Sequence, residues 1–337
     1  MAIADPGLLK EQVDDLVAEA LAPRGVPERV HYANGVLLGA EDFAAEQLYL
    51  RGRSGRALAA LYGHGTLAGL RVGCSALDNP ELELQVAPGL ALDRLGRLIE
   101  IRRKQCIHIA RWLAEREAIA ETTEAALERA AVIAAVRAGA TGPVLVFDVW
   151  LRFAICPHGK TPAFAAGPFN ASDYVVPARL ADAFELSLRL AHVIGGELAR
   201  PEPRSVKLEA MLADLNSLVD PTELEARRRA WCVASALDAW PQPSVLDPQR
   251  LPRLREQAGE ADWDQLLLAR VTVPVRQAEA GAFPQPDTEA IAAIAAAPEP
   301  PPEQRWAEPA WRELADNSLR PLVFNPYSWR GRLAAEL

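Results

Sequence analysis

A chain of 337 residues, half of them apolar, has room for two or three domains of ~100–200 residues each and can bury a substantial core. Its formal net charge of −9 speaks against a nucleic-acid backbone or an anionic membrane as the main partner, because both reward a basic face. Four cysteines, Cys74, Cys106, Cys156 and Cys232, are too thinly spread for a small oxidised scaffold and suit a reducing compartment.

Residues 1–28 read as an N-terminal helix, with Leu8, Leu9, Val13, Leu16, Val17 and Leu21 at helical spacing. The segment lacks the cationic start and apolar core of a signal peptide, and no run reaches the ~18–20 unbroken apolar residues of a spanning helix. A soluble, cytoplasmic protein without membrane insertion is therefore expected. Arg29 to Tyr32 is a short extended stretch, and Asn34-Gly35 is a strong turn dipeptide.

The spacing then predicts a helix from about Ala40 to Tyr62, with Glu41 and Asp42 in its first turn, where the peptide dipoles favour carboxylates. Phe43, Gln47, Leu50, Ser54, Ala57 and Leu61 follow at steps of three and four, a seam of apolar and small polar groups that suits packing against a neighbour. Gly52 and Gly55 each weaken a helix by ~1 kcal/mol relative to Ala. The helix is therefore expected either to break there or to be approached closely by another backbone.

Gly63-His64-Gly65 ends the helix, and Leu67 to Cys74 should run as a strand. Leu82, Leu84 and Val86 alternate with Glu81, Glu83 and Gln85, the period of a half-buried strand. Turns at Pro88-Gly89 and Leu95-Gly96 frame two further short strands, completing a motif-bearing helix and meander over residues 29–105. Residues 106–142 read as a helical insertion, one long helix or a hairpin of two.

A second β-rich unit is expected over 143–280. Pro143 to Ile155 is dense in β-branched and aromatic residues and predicts a central strand, and Leu180 to Leu190 alternates and should pair in the same or a neighbouring sheet. Helices are expected within 205–240, with Pro221 in a first turn and Asp220 or Thr222 at the cap. Leu266 to Val273 predicts another strand. Residues 281–337 read as an extended, proline-rich C-terminal arm, with a linker from Phe283 to Pro309 and a docking strand around Asn317 to Phe324. The fold class expected is α+β.

Three motifs give the chain a resemblance. Gly35, Leu37, Leu38, Asp42, Phe43, Glu46, Gln47 and Tyr49 form a G-x-L-L-x-x-x-D-F-x-x-E-Q-x-Y segment. Gly63, Gly65, Gly69, Leu70 and Val72 form a glycine-rich reversal, and Pro88, Gly89, Ala91, Asp93, Gly96, Arg97 and Ile99 form a P-G-x-A-x-D-x-x-G-R-x-I strand pair. Together they resemble a largely uncharacterised bacterial family associated with phage-tail-like contractile injection systems. The resemblance implies a baseplate or tail-accessory subunit that contacts other subunits and copies of itself within an assembled particle, and it carries no catalytic set or cofactor. The chain departs from the family's usual pattern after Cys156, at Pro157-His158-Gly159-Lys160.

Candidate chemistry is sparse. Cys106-Ile107-His108 and Cys156-Pro157-His158 could present Cys106, His108, Cys156 and His158 from two adjacent strands as a zinc tetrahedron. The plainer reading is that these are core and strand positions, since the usual two-cysteine knuckle spacing is missing. A hydrolase would use a site near His64 and Asp93, without an identifiable orienting partner. Asp42, Glu46 and Asp93 form a possible carboxylate cluster, whose plainer reading is a helix start and ion pairs with Arg51, Arg53 or Arg97. The Gly63 to Gly69 stretch lacks the Lys-Ser/Thr ending of a phosphate loop.

A non-catalytic protein working through surfaces is the expectation, with a metal-stabilised binding module or a hydrolase as alternatives. Phe43, Gln47, Tyr49, Arg51 and Arg53 are the candidate residues of one contact face. Trp306, Trp311, Phe324 and Trp329, on or beside the polar arm, are candidate docking anchors.

Overall fold

In the computed structural model of the chain, the described residues are 29–75, 83–118, 123–139, 142–162, 175–199, 206–238, 265–279, 281–295 and 314–323. They form an α+β fold in two units, the larger drawn from Gly55–Pro201 and Ala258–Leu337 and the smaller from Asp14–Ser54 and Glu202–Gln257. Helix α1, Ala40–Tyr62, is one unbroken element whose first fifteen residues belong to the smaller unit and whose end belongs to the larger. Of the two expectations for its glycines, close approach is the one realised at Gly55. An added Cβ there would lie 2.8 Å from the Leu95 carbonyl oxygen, and one on Gly96, at φ +77°, would lie 1.8 Å from that of Gly55.

In the larger unit a three-stranded meander follows α1, and each of its strands turns a corner. Strand β1 (Gly65–Gly69) continues as β2 (Val72–Ser75), β3 (Glu83–Val86) as β4 (Gly89–Leu92), and β5 (Leu98–Ile101) as β6 (Gln105–His108). The halves pair antiparallel in the orders β1-β4-β5 and β2-β3-β6. The single strand expected over Leu67 to Cys74 is broken by left-handed Gly69 and Leu70, at φ +66° and +58°. Hydrogen bonds from Leu70 N–H to Pro88 O and from Ala87 N–H to Arg71 O close the corner. Leu70 is fully buried, and that burial offsets a left-handed backbone costing ~1–2 kcal/mol.

Two helices follow, α2 (Ile109–Ala118) and α3 (Thr123–Ala134), so the insertion is a hairpin. Its apolar residues Ile109, Leu113 and Val132 join the same core as the strands. Trp112 sets its ring edge-on to Phe147 at 5.2 Å and carries the Arg116 guanidinium 3.5 Å from its own ring centroid.

The large sheet has β8 (Pro143–Pro162) and β12 (Leu266–Arg276) at its centre. Short β7 (Arg137–Ala138) and long β9 (Val175–Leu190) pair with β8, while β13 (Gln285–Pro286) and β14 (Ala315–Asp316) pair with β12. The small hairpin β10 (Val193–Ile194) and β11 (Glu197–Leu198) follows β9. Leu145, Phe147, Val149 and Leu151 meet Leu266, Leu268, Val271 and Val273 in one apolar cluster that also contains Leu84, Val86, Ile99 and Ile101 of the meander. This cluster draws residues from both sides of positions 105, 142 and 280. Beyond Leu151, β8 and β9 continue together as a two-stranded ribbon to Pro162 and Val175, and no third strand pairs with it among the described residues.

The smaller unit contains the Asn34-Gly35 turn, closed by Val36 N–H to Ala33 O, the start of α1, and a helical pair α4 (Val206–Asn216) and α5 (Pro221–Asp238). Pro221 begins α5 as expected, and Asp220 Oδ1 accepts the Thr222 N–H at 2.9 Å. Trp231 Nε1–H donates to Asp214 Oδ2 at 2.6 Å, tying the two helices.

The described parts of the C-terminal arm differ from the extended linker expected there. Thr288–Ala295 is a helix, α6, started by Asp287, whose carboxylate accepts the Ala290 N–H. An Ala- and Ile-rich run behind an Asp cap is sufficient reason for it. Residues 314–323 then form a strap on their own chain.

Candidate functional site

Helix α1 presents the predicted seam to solvent along its length. Phe43, Gln47, Leu50, Ser54, Ala57 and Leu61 are all exposed, and the three large apolar members keep 51, 57 and 71% of their surface. A helix normally turns its apolar stripe to the core. Here the inward face carries Leu48, Tyr49 and Gly52 instead, all at least half-buried. Tyr49, expected on the contact face, therefore sits off the stripe, while Arg51 and Arg53 are exposed beside it. The reason is angular: at ~100° per residue Tyr49 lies well round the helix from Phe43, and Gln47 and Leu50 do not.

Charge is segregated along the same helix. Glu41, Asp42 and Glu46 occupy its first two turns and Arg51, Arg53 and Arg56 its middle. The Tyr32 hydroxyl donates to the Glu46 carboxylate, and that bond holds the phenol above its ordinary value. Both the acidic first turns and the basic middle are legible in the order of residues alone.

Of the residues considered for catalysis, Asp93 is held within a turn. Asp93 is fully buried in the turn between β4 and β5, where Oδ1 accepts N–H bonds from Leu95 and Arg97 at 2.9 and 2.8 Å and Oδ2 accepts from Arg97 Nε. Burial pushes its carboxyl above the ordinary value, and Arg97 pulls the other way. Arg97 also lies 4.5 Å over the Phe153 ring. The strand-pair motif is thus a folding device: Pro88 and Gly89 at the corner, Asp93 and Arg97 in the turn, and Gly96 against α1. His64 lies half-buried in the link between α1 and β1, and no oxygen of Asp93 reaches solvent to pair with it.

The four zinc candidates occupy strands of different sheets. Cys106 and His108 are on β6, Cys156 and His158 on β8. Glu83 Oε1 lies 3.6 Å from His108 Nδ1. Among the described residues no three His, Cys, Asp or Glu side chains gather as a metal site.

The strap lies where a docking strand is expected around Asn317 to Phe324, and it bonds to its own chain. Thr272 N–H donates to Leu314 O, and Ala315 and Asp316 pair with β12. Asn317 then bonds both backbone groups of Val72 at 2.9 Å. Arg320 is buried with Nη1 on Leu70 O at 2.8 Å, and burial lowers its guanidinium to about 10. Thr66 N–H donates to Pro321 O, and Val323 N–H donates to Thr66 O. Of the anchors expected on this arm, Trp306, Trp311, Phe324 and Trp329 lie outside the described residues.

No protein-family model matches the chain, and a comparison with curated proteins found no match.

Proposed function

We propose that this chain is a non-catalytic structural subunit of a phage-tail-like contractile injection apparatus, a baseplate or tail-accessory part residing in the cytoplasm within an assembled particle. The observation that carries the reading is the exposed seam of α1: three large apolar groups on one helix face, in a chain with ample core elsewhere. Apolar groups aligned in water on a rigid element are the physical form of an unfilled contact surface. The resemblance of the three motifs supplies the kind of assembly, and their structural use here agrees with a part that works by shape.

No helix among the described residues is long and apolar enough to cross a membrane. Partners are accordingly proposed to be proteins, namely other subunits and copies of this chain.

The test is localisation in the source bacterium. Lysate carrying an epitope-tagged chain is fractionated on a density gradient and the fractions are viewed by immunogold electron microscopy. Label at one end of sheathed tubes is the expected result. Chain found only in the free pool, with normal tubes formed by cells that lack it, would overturn the proposal.

A further inference from the structure

We infer that the seam of α1 pairs with the same seam of a second copy, the two helices running antiparallel with Glu46 of each beside Arg53 of the other. The inference rests on the reading above, that the chain works through protein contacts, and names one partner and one geometry.

The argument begins with spacing. From Phe43 the exposed residues Gln47, Leu50 and Ser54 come at steps of four, three and four, the seven-residue repeat that keeps one face toward a partner helix. Charge then sets direction. In a parallel pair the carboxylate turns of the two copies would lie side by side, and so would the arginine turns. Reversing one helix brings Asp42 and Glu46, which flank the seam on the same side as Arg53, toward the turn that contains Arg53.

Charge also sets register. If Phe43 met Leu61 of the second copy, the two Arg53 side chains would face each other across the symmetry axis, like charges in contact. Sliding by one repeat sets Gln47 against Leu50 and Phe43 against Ser54. Flanking positions then place Glu46 beside Arg53 twice, as two-fold symmetry requires. The bond from the Tyr32 hydroxyl to Glu46 positions that carboxylate and leaves it further lone pairs to accept a guanidinium. A single helix pair of this length buries less than the ~1,200 Å² of a stable complex, so the association is weak alone and strengthens where neighbours hold the copies together.

Sedimentation velocity on the full chain over a wide concentration range is the test. The expected result is a monomer–dimer equilibrium that Leu50→Glu weakens by at least about tenfold, with circular dichroism and melting unchanged because Leu50 is exposed. Glu46→Arg and Arg53→Glu should each weaken the dimer, and the double exchange should restore it; high salt should weaken the wild type. A wild-type monomer at every concentration, a dimer indifferent to Leu50→Glu, or a double exchange without restoration would each overturn the pairing. Failure here stays distinct from failure of the functional reading. A monomeric wild type that labels sheathed tubes, and a Leu50→Glu variant that does not, would assign the seam to another subunit and leave the proposed function standing.

Discussion

Arg270 and Asp148 face each other across β12 and β8, bonded at 2.8 and 2.9 Å, with Arg270 also donating to Ala199 O. Their side chains keep only 11 and 6% exposure, so truncating one leaves the other charged without its counter-ion. Arg270→Met should destabilise the protein by ~3–5 kcal/mol in urea unfolding, and Asp148→Leu with Arg270→Met should recover most of that loss. Neither residue attracts notice in the sequence, because partners 122 positions apart have no local signature. Gly96 is the contrasting case: its turn is legible, yet only the fold brings it against Gly55. Gly96→Ala should cost about 3 kcal/mol or more, from a left-handed backbone and a Cβ inside contact distance.

At the scale of elements, α6 and the strap are held by short-range polar contacts, and each gives a measurable response. Arg276 lies 2.8 Å from Asp287 and, with the Ala290 N–H, holds that carboxyl below its ordinary value. A lowered folded value means the stabilisation is present above the unfolded value of about 3.9 and is lost as pH falls through the folded one. The start of α6 should therefore loosen as pH falls below about 3.9, and Asp287→Asn should flatten that dependence, read as hydrogen exchange of residues 288–295. For the strap, Asn317→Ala strips both backbone groups of buried Val72 of their partners. A loss of ~1–3 kcal/mol is expected, with faster exchange over 314–323 than elsewhere; uniform destabilisation would show that the strap does not open by itself.

Across the whole molecule, protection should follow the depth of the central strands. Residues 145–151 and 266–273 lie in the middle of the large sheet with most side chains fully buried, so their amides should open only with global unfolding. The ribbon from Arg152 to Pro162, paired on one side by β9 alone, should exchange faster by local opening. Equal protection along β8 would mean that something covers the ribbon.

What the order of residues determined by itself was local and periodic. Helix α1 runs from Ala40 to Tyr62 as its spacing predicts, the strands at Pro143 and Leu266 begin as their β-branched runs predict, and Pro221 opens a helix. The seam on α1 was equally legible, since a repeat of seven needs no knowledge of neighbours. Tertiary structure alone decided whether that seam was buried or exposed, that Asp93 would be consumed by its own turn, that the cysteine and histidine pairs would part to different sheets, and that a strap 250 residues away would bond Leu70. Periodicity marks a face because it acts through adjacent turns of one chain. What that face meets depends on contacts between segments far apart in sequence, which form only once the core has set where each segment lies.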